Sequence, residues 1–234
     1  MKIVPQSVYH LSSTMDALTH IEKCGRTCYK SEPTIFEGCP ECNGMRIIDK
    51  TEAHLDGCQY PCQTCKKQSA ETFIRKIIKL GHESVLEHAY ASFRIVTNRF
   101  TTHQIVRHRL FSYSQESQRY CSYDKDKFGS EITFVKPLEL NEKESEEWYK
   151  TLEYAEQSYF QLIEDGYAPQ IARSVLPSST KTEIVMSGNF RSWRHFLKLR
   201  YSSHAQANVR EIASMIYDYF DKQYPVIVED ISYS

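Results

Sequence analysis

The stretch Arg107–Tyr120, reading RHRLFSYSQESQRY, places the strongest constraint on how this chain can fold. It packs three arginines, a histidine, three serines and two glutamines into one short run. Apolar residues do not recur in it at the period of a helix or a strand, so it cannot serve as a core element. The fold must carry it on a turn or wall that faces solvent or a ligand. Arginine keeps its charge and presents a planar fork of donors that fits phosphate oxygens two at a time. Ser112, Ser114, Gln115, Ser117 and Gln118 add neutral donors and acceptors suited to the polar edge of a base or sugar. A solvated basic loop is the alternative reading, but such loops favour lysine and this run has none.

The formal net charge of the 234-residue chain is -1, so its positive charge is local. Proteins that hold nucleic acid by bulk electrostatics usually carry a strong basic excess. A local arginine cluster in a neutral chain suits a small anion better. The start, MKIVPQSVYHLSST, lacks the apolar core of a signal peptide, and no stretch approaches the ~20 apolar residues of a membrane span. The expectation is a cytoplasmic protein with no membrane partner. It is read as one domain, 1–234, with a cysteine-rich insert at 37–69.

The organisation along the chain is mixed. Ile3 and Val4 lead into a first strand, and Met15, Leu18, Ile21 and Cys24 recur at helical spacing. A helix is expected from about Ala70, with Phe73, Ile74, Ile77 and Ile78 on one side and Gly81 as its stop. Ser84 and Glu87 have capping-box spacing. Ala89–Thr97 alternates as a strand, and Phe100–His108 reads as helix. Trp148, Leu152, Ala155, Tyr159 and Leu162 form a helical stripe ended by Gly166 and Pro169. Thr182–Ser187 alternates again, and Phe190–Arg200 and His204–Phe220 read as two further helices. The order favours α+β, with a small, mostly antiparallel sheet and several helices. There is no G-x-G-x-x-G and no Walker-type loop, so any nucleotide is held mainly by side chains.

A second polar group lies in Asn189–Arg200, NFRSWRHFLKLR. On a helix Trp193, Phe196 and Leu197 share one face and Arg191, Arg194, His195 and Lys198 another. Arg194 and Lys198 are expected to be the wet side of that helix. Arg173, in the apolar context ARSVLP, and Arg200 are expected to contact a ligand.

Together these segments resemble the flavin-dependent thymidylate synthases. The family signature, RHR followed by seven residues and Ser, reads here as Arg107-His108-Arg109, then Leu110–Glu116, then Ser117, and the match continues through Gln118 and Arg119. It extends to His82–His88 (HESVLEH), Ala172–Pro177 (ARSVLP) and Asn189–Arg200, in the family's order. The resemblance implies methylation of dUMP to dTMP, with methylenetetrahydrofolate as carbon donor, FAD as tightly bound cofactor and NADPH as reductant. It implies a homotetramer with active sites between subunits. By position, Gln104, Arg107, Gln115, Glu116, Ser117, Gln118, Arg119, Arg173 and Arg200 match dUMP contacts. Ser84, Arg107, His108, Arg109, Gln115, Asn189, Arg191 and His195 match FAD contacts. Arg200 matches the family's arginine facing the pyrimidine, where a fixed cation favours the ring's anionic form. Ser117 is assigned to binding rather than covalent attack, and Cys121 is read as a packed thiol.

The insert departs from that family's usual pattern, which is shorter and metal-free here. It holds five of the eight cysteines and cannot build a conventional core. Cys39-Pro-Glu-Cys42 and Cys62-Gln-Thr-Cys65 have the spacing of a zinc ribbon or knuckle, so Cys39, Cys42, Cys62 and Cys65 are the expected ligands of a structural Zn. Cys58 or His54 can substitute for one of them, and a redox pair is the competing reading. A zinc-ribbon nucleic-acid-binding or regulatory protein is the alternative for the whole chain. It would be colourless and would bind nucleic acid with a steep salt dependence.

Overall fold

A computed structural model describes residues 1–31, 39, 41, 62–125, 129–141 and 145–233. Its centre is a four-stranded antiparallel sheet in the order β2-β3-β6-β4. The strands are β2 (Ser7–Ser13), β3 (Tyr90–Asn98), β4 (Ser112–Gln115) and β6 (Lys181–Asn189). A separate parallel pair joins β1 (Lys2–Ile3) to β5 (Thr133–Phe134). The expected α+β class with a small, mostly antiparallel sheet is the fold observed.

The alternation of β3 and β6 explains why the sheet forms one buried face. Ala91, Phe93 and Ile95 of β3 and Ile184 and Met186 of β6 are buried, and the register sets Phe93 opposite Met186 and Ile95 opposite Ile184. Same-face pairs across strands are the unit of sheet stabilisation. Helices α6 (Phe190–Arg200) and α7 (Ala207–Gln223) join this core through Trp193, Phe196, Ile212, Ile216 and Phe220. Each such buried side chain contributes about 1.5–3 kcal/mol. Helices α1 (Ala17–Tyr29) and α2 (Gln63–Lys79) extend the same core through Ile21, Phe73 and Ile74. Gly25 lets them approach: a Cβ there would lie 2.4 Å from the Phe73 ring. A smaller core forms where α4 (Glu146–Glu164) brings Leu152 and Tyr159 to Phe134 and Ile132. Short helices α3 (Arg99–Ile105), α5 (Pro169–Ala172) and α8 (Pro225–Val228) complete the described elements, with 3₁₀ turns at Glu83–His88 and Arg173–Val175.

Several sequence expectations need correction. Helix α2 starts at Gln63, within the insert, and not near Ala70. Its first turns bury Cys65 and Ser69, small residues that carry no apolar-stripe signal. The single strand expected before α1 is two, β1 and β2, and β2, as a sheet edge, leaves most of its residues half-exposed or exposed. Met15, assigned to a helical stripe, precedes α1 and is 87% exposed. The Ser84/Glu87 capping box does not form: His82 occupies the cap position without a side-chain bond. Helix α3 ends at Ile105, short of His108.

Arg194 overturns the expectation of a wet side. It is fully buried, and its guanidinium donates to both carboxylate oxygens of Asp230 at 2.7 Å, to Glu83 at 3.1 Å and to the carbonyl of Ile227. Burial works against its charge, but hydrogen bonds and charge from Asp230, then Glu83, outweigh it and leave its pKa raised. Lys198 is exposed as expected, near Glu83.

Candidate active site

Two short elements place the RHR segment. Asn98, the last residue of β3, caps α3: its Oδ1 accepts from the Thr101 N–H at 3.0 Å and the Thr101 hydroxyl at 2.6 Å. After α3 the chain turns through Arg107-His108-Arg109 into β4. The Tyr113 hydroxyl, on β4, reaches back to the carbonyls of Ile105 at 2.7 Å and His108 at 2.8 Å. Burial raises the Tyr113 pKa well above its ordinary value, so the hydroxyl stays a donor that latches the turn.

The second wall is α6, which leaves β6 with no intervening loop. Asn189 ends the strand and also caps the helix, its Oδ1 accepting from the Ser192 N–H at 2.8 Å. The Trp193 indole N–H donates to the Ala91 carbonyl at 3.0 Å and fixes the helix on the sheet. Ser192, His195, Leu199 and Arg200 then face Arg107–Phe111 across a cavity of about 230 Å³. Phe111 sits on Gly188, where a Cβ would come within 2.4 Å of its ring.

The cavity lining contains three arginines and two histidines and no carboxylate. Among the described residues, Arg107, Arg109 and Arg200 have no acidic partner, whereas Arg26, Arg75, Arg94, Arg191 and Arg194 each pair with at least one. Arg200 Nε instead donates to His108 Nε2 at 3.0 Å. An arginine can only donate, so His108 is neutral and carries its proton on Nδ1. Burial, then the charges of Arg200 and His195, lowers its pKa from 6.5 to about 4.

That shift has a measurable consequence. The unfolded chain takes up the His108 proton first as pH falls, so the contribution is intact above 6.5 and lost on descending towards 4. The loss at full protonation is roughly 3 kcal/mol. Urea unfolding of wild type and His108→Gln at several pH values is expected to show wild type losing more stability across that window. Equal slopes would count against it.

A second polar group lies at the other end of β4, about 10 Å away along the strand. Gln115 Nε2 donates to the Thr102 and Thr182 hydroxyls at 3.0 and 3.3 Å. Glu116 accepts from Lys181 Nζ at 3.2 Å and from the Tyr123 hydroxyl at 3.4 Å. Arg99 donates to the Glu116 carbonyl at 2.9 Å. Burial lowers the Arg99 pKa, and Arg173 is close enough to lower it further by like charge. Arg99 Nε is a buried donor with no acceptor among the described residues. Buried donors of this kind cost about 1–3 kcal/mol each, which an acceptor-rich ligand would relieve. Ser117 is half-buried, and exposed Arg119 lies over the Tyr120 ring.

The structure therefore divides the residues expected at the site. Arg107, His108, Arg109, His195 and Arg200 converge on one cavity. Gln115–Arg119 and Arg173 belong to the second group. Gln104 is half-buried on α3, ahead of both in sequence. Ser84 is exposed in the first 3₁₀ turn, and Arg191 is held by Glu87 at 2.5 Å. Arg99 and Lys181 were not foreseen. Their positions, a helix start and a strand start, carry no compositional signal.

Residues 10–226 match the family described as thymidylate synthase complementing protein. A flavin-dependent thymidylate synthase from Mycobacteroides abscessus is 38% identical over 159 residues, covering 61% of this chain and 62% of that protein. One from Pyrococcus furiosus is 38% identical over 150 residues, covering 63% and 61%. The matches thus span about three fifths of these relatives' length. In overall fold the chain is similar to the UMP/dUMP methylase PolB from Streptomyces cacaoi, solved with 5-Br dUMP, at a TM-score of 0.72 and 20% identity. That likeness covers 98% of this chain and 96% of the other.

Proposed function

Because this chain belongs to the thymidylate synthase complementing protein family, that of the flavin-dependent thymidylate synthases, we propose that it methylates dUMP to dTMP in the cytoplasm. In this reading methylenetetrahydrofolate donates the carbon, NADPH is the reductant and FAD is the cofactor. The observation that carries it is the carboxylate-free cavity, with arginines from two distant segments and a neutral histidine between them.

The donor set suits FAD. Arg107, Arg109 and His195 offer donors to a pyrophosphate, and Leu110, Phe111 and Leu199 offer apolar surface to a planar ring. When bound, the flavin supplies the hydride that completes the methyl group. The chain's own residues bind and orient. Arg200 provides a fixed positive charge for the pyrimidine oxygens, and His108 holds its guanidinium by accepting from Nε. At the far end of β4, Gln118, Arg119 and Arg173 supply donors for dUMP.

A cavity of about 230 Å³ is smaller than the 300–1,000 Å³ typical of small-molecule sites. The two polar groups also sit at opposite ends of one strand. In a homotetramer with active sites between subunits, residues of another copy would complete this small cavity.

The test is a spectrum and an assay on the purified full-length protein. It is expected to be yellow, and to form dTMP only when NADPH, dUMP and methylenetetrahydrofolate are all present. A colourless protein that binds nucleic acid with steep salt dependence would instead establish the nucleic-acid-binding alternative.

A further inference from the structure

The cysteine-rich segment carries chemistry that the dUMP reaction does not use. The Sγ atoms of Cys39, Cys62 and Cys65 lie within 4.8 Å of one another, with Cys39 and Cys62 at 3.4 Å. Cys39 and Cys65 are buried and Cys62 is half-buried. Three thiolates around one tetrahedral ion, with metal–sulfur bonds near 2.3 Å, stand roughly 3.8 Å apart. The observed cluster brackets that spacing.

The local backbone points N–H donors at the cluster. Cys62 is the N-cap of α2, and the Cys65 N–H donates to Cys62 Sγ at 3.3 Å. Cys62 thus caps a 17-residue helix and Cys65 lies in its first turn, where unsatisfied N–H groups and the helix dipole favour negative charge. Glu41 fastens to the same turn, its carboxylate accepting from the Thr64 hydroxyl at 2.7 Å and the Thr64 N–H at 3.2 Å. Lys23 and Lys66 line the cavity beside Cys62 and bring positive charge towards the sulfurs, although Lys66 is also paired with Asp16.

No large apolar side chain supports this cluster: among the described residues its core is Cys39 and Cys65, with Cys62 packed against them. Thiol packing alone gives little to set against the entropy of ordering the segment. A bound metal would supply that free energy.

We propose that Cys39, Cys62 and Cys65 hold a structural zinc ion that clamps the cysteine-rich insert to the start of α2. Cys42, expected from the sequence as a fourth ligand, and Cys58 and His54, expected as its substitutes, lie outside the described residues. The site shares no lining residue with the arginine cavity, so this inference is independent of the proposed reaction.

Elemental analysis of the wild-type protein, purified under reducing conditions without a metal-affinity tag, is expected to find about one zinc per chain. Growth with Co²⁺ in place of Zn²⁺ should give intense thiolate-to-cobalt charge-transfer bands and tetrahedral d–d bands, read against the flavin spectrum. Cys62→Ser and Cys65→Ser should each lose the bound zinc and melt at lower temperature, while Cys121→Ser keeps the full equivalent. A metal-free wild-type protein would overturn the proposal, as would a Cys39–Cys62 disulfide found by mass spectrometry or iron in place of zinc. A metal-free protein that still makes dTMP would leave the proposed reaction standing. Because metal content and the cobalt spectrum are read on wild type, variants that fail to fold do not remove the test.

Discussion

Arg200→Ala is expected to lower kcat for dTMP formation by about 100- to 1,000-fold, the range for removing one preorganised donor from a developing negative charge. The fold should survive, because Arg200 is the last residue of α6 and contributes nothing to the aromatic core beneath it. Circular dichroism, melting temperature and bound flavin are therefore expected to stay close to wild type. Arg200→Lys keeps a charge but not the planar fork, and its Nζ cannot both meet His108 and present two parallel donors, so only partial activity is expected. His108→Gln separates positioning from charge. It preserves an acceptor near Nε2, and activity should fall far less than with a residue that cannot accept. A drop smaller than tenfold in Arg200→Ala would remove this guanidinium from the chemistry.

The largest stability effect is expected at Arg194→Leu, a loss of about 3 kcal/mol, the lower end for breaking a buried charge pair. The lower end applies because Asp230 is partly exposed and can rehydrate. For a chain of this size that loss lowers the melting temperature by roughly 6–12 °C. Arg194 is the only donor joining α6 to the Ile227 carbonyl and the Asp230 carboxylate among the hydrogen bonds seen for the described residues. Its loss should therefore loosen the segment after α7 first. Hydrogen exchange at Val226–Val228 is expected to quicken before exchange in β3 or β6. A change below 1 kcal/mol would show that the leucine packs well enough to replace the ion pair.

What could be read from the sequence follows from where each signal resides. Helix α6 begins and ends where the motif predicts, because Trp193, Phe196 and Leu197 define its buried face locally. The interiors of β3 and β6 were legible for the same reason: alternation is a property of a few neighbouring residues. Arg194 was misread because a single helix cannot reveal that Asp230, thirty-six positions later, comes back to meet it. The beginning of α2 was hidden by composition, since cysteine and serine take the buried positions that an apolar residue would mark. Arg99 escaped notice because its value depends on Glu116 and Arg173, brought near only by the sheet. Of the residues that line the cavity, the resemblance of motifs singled out Arg107, His108, Arg109, His195 and Arg200, and not Phe111, Ser192 or Leu199. Their division between the two ends of β4 needed three dimensions.

Asn189 has a wider implication. Since it belongs to both strand and helix, the guanidinium at the far end of α6 is attached to the sheet by one uninterrupted rod. Its average position inherits the rigidity of a strand paired on both sides, with no hinge between them. A change elsewhere that leaves β6 and α6 intact should therefore leave the Arg200 guanidinium where it is.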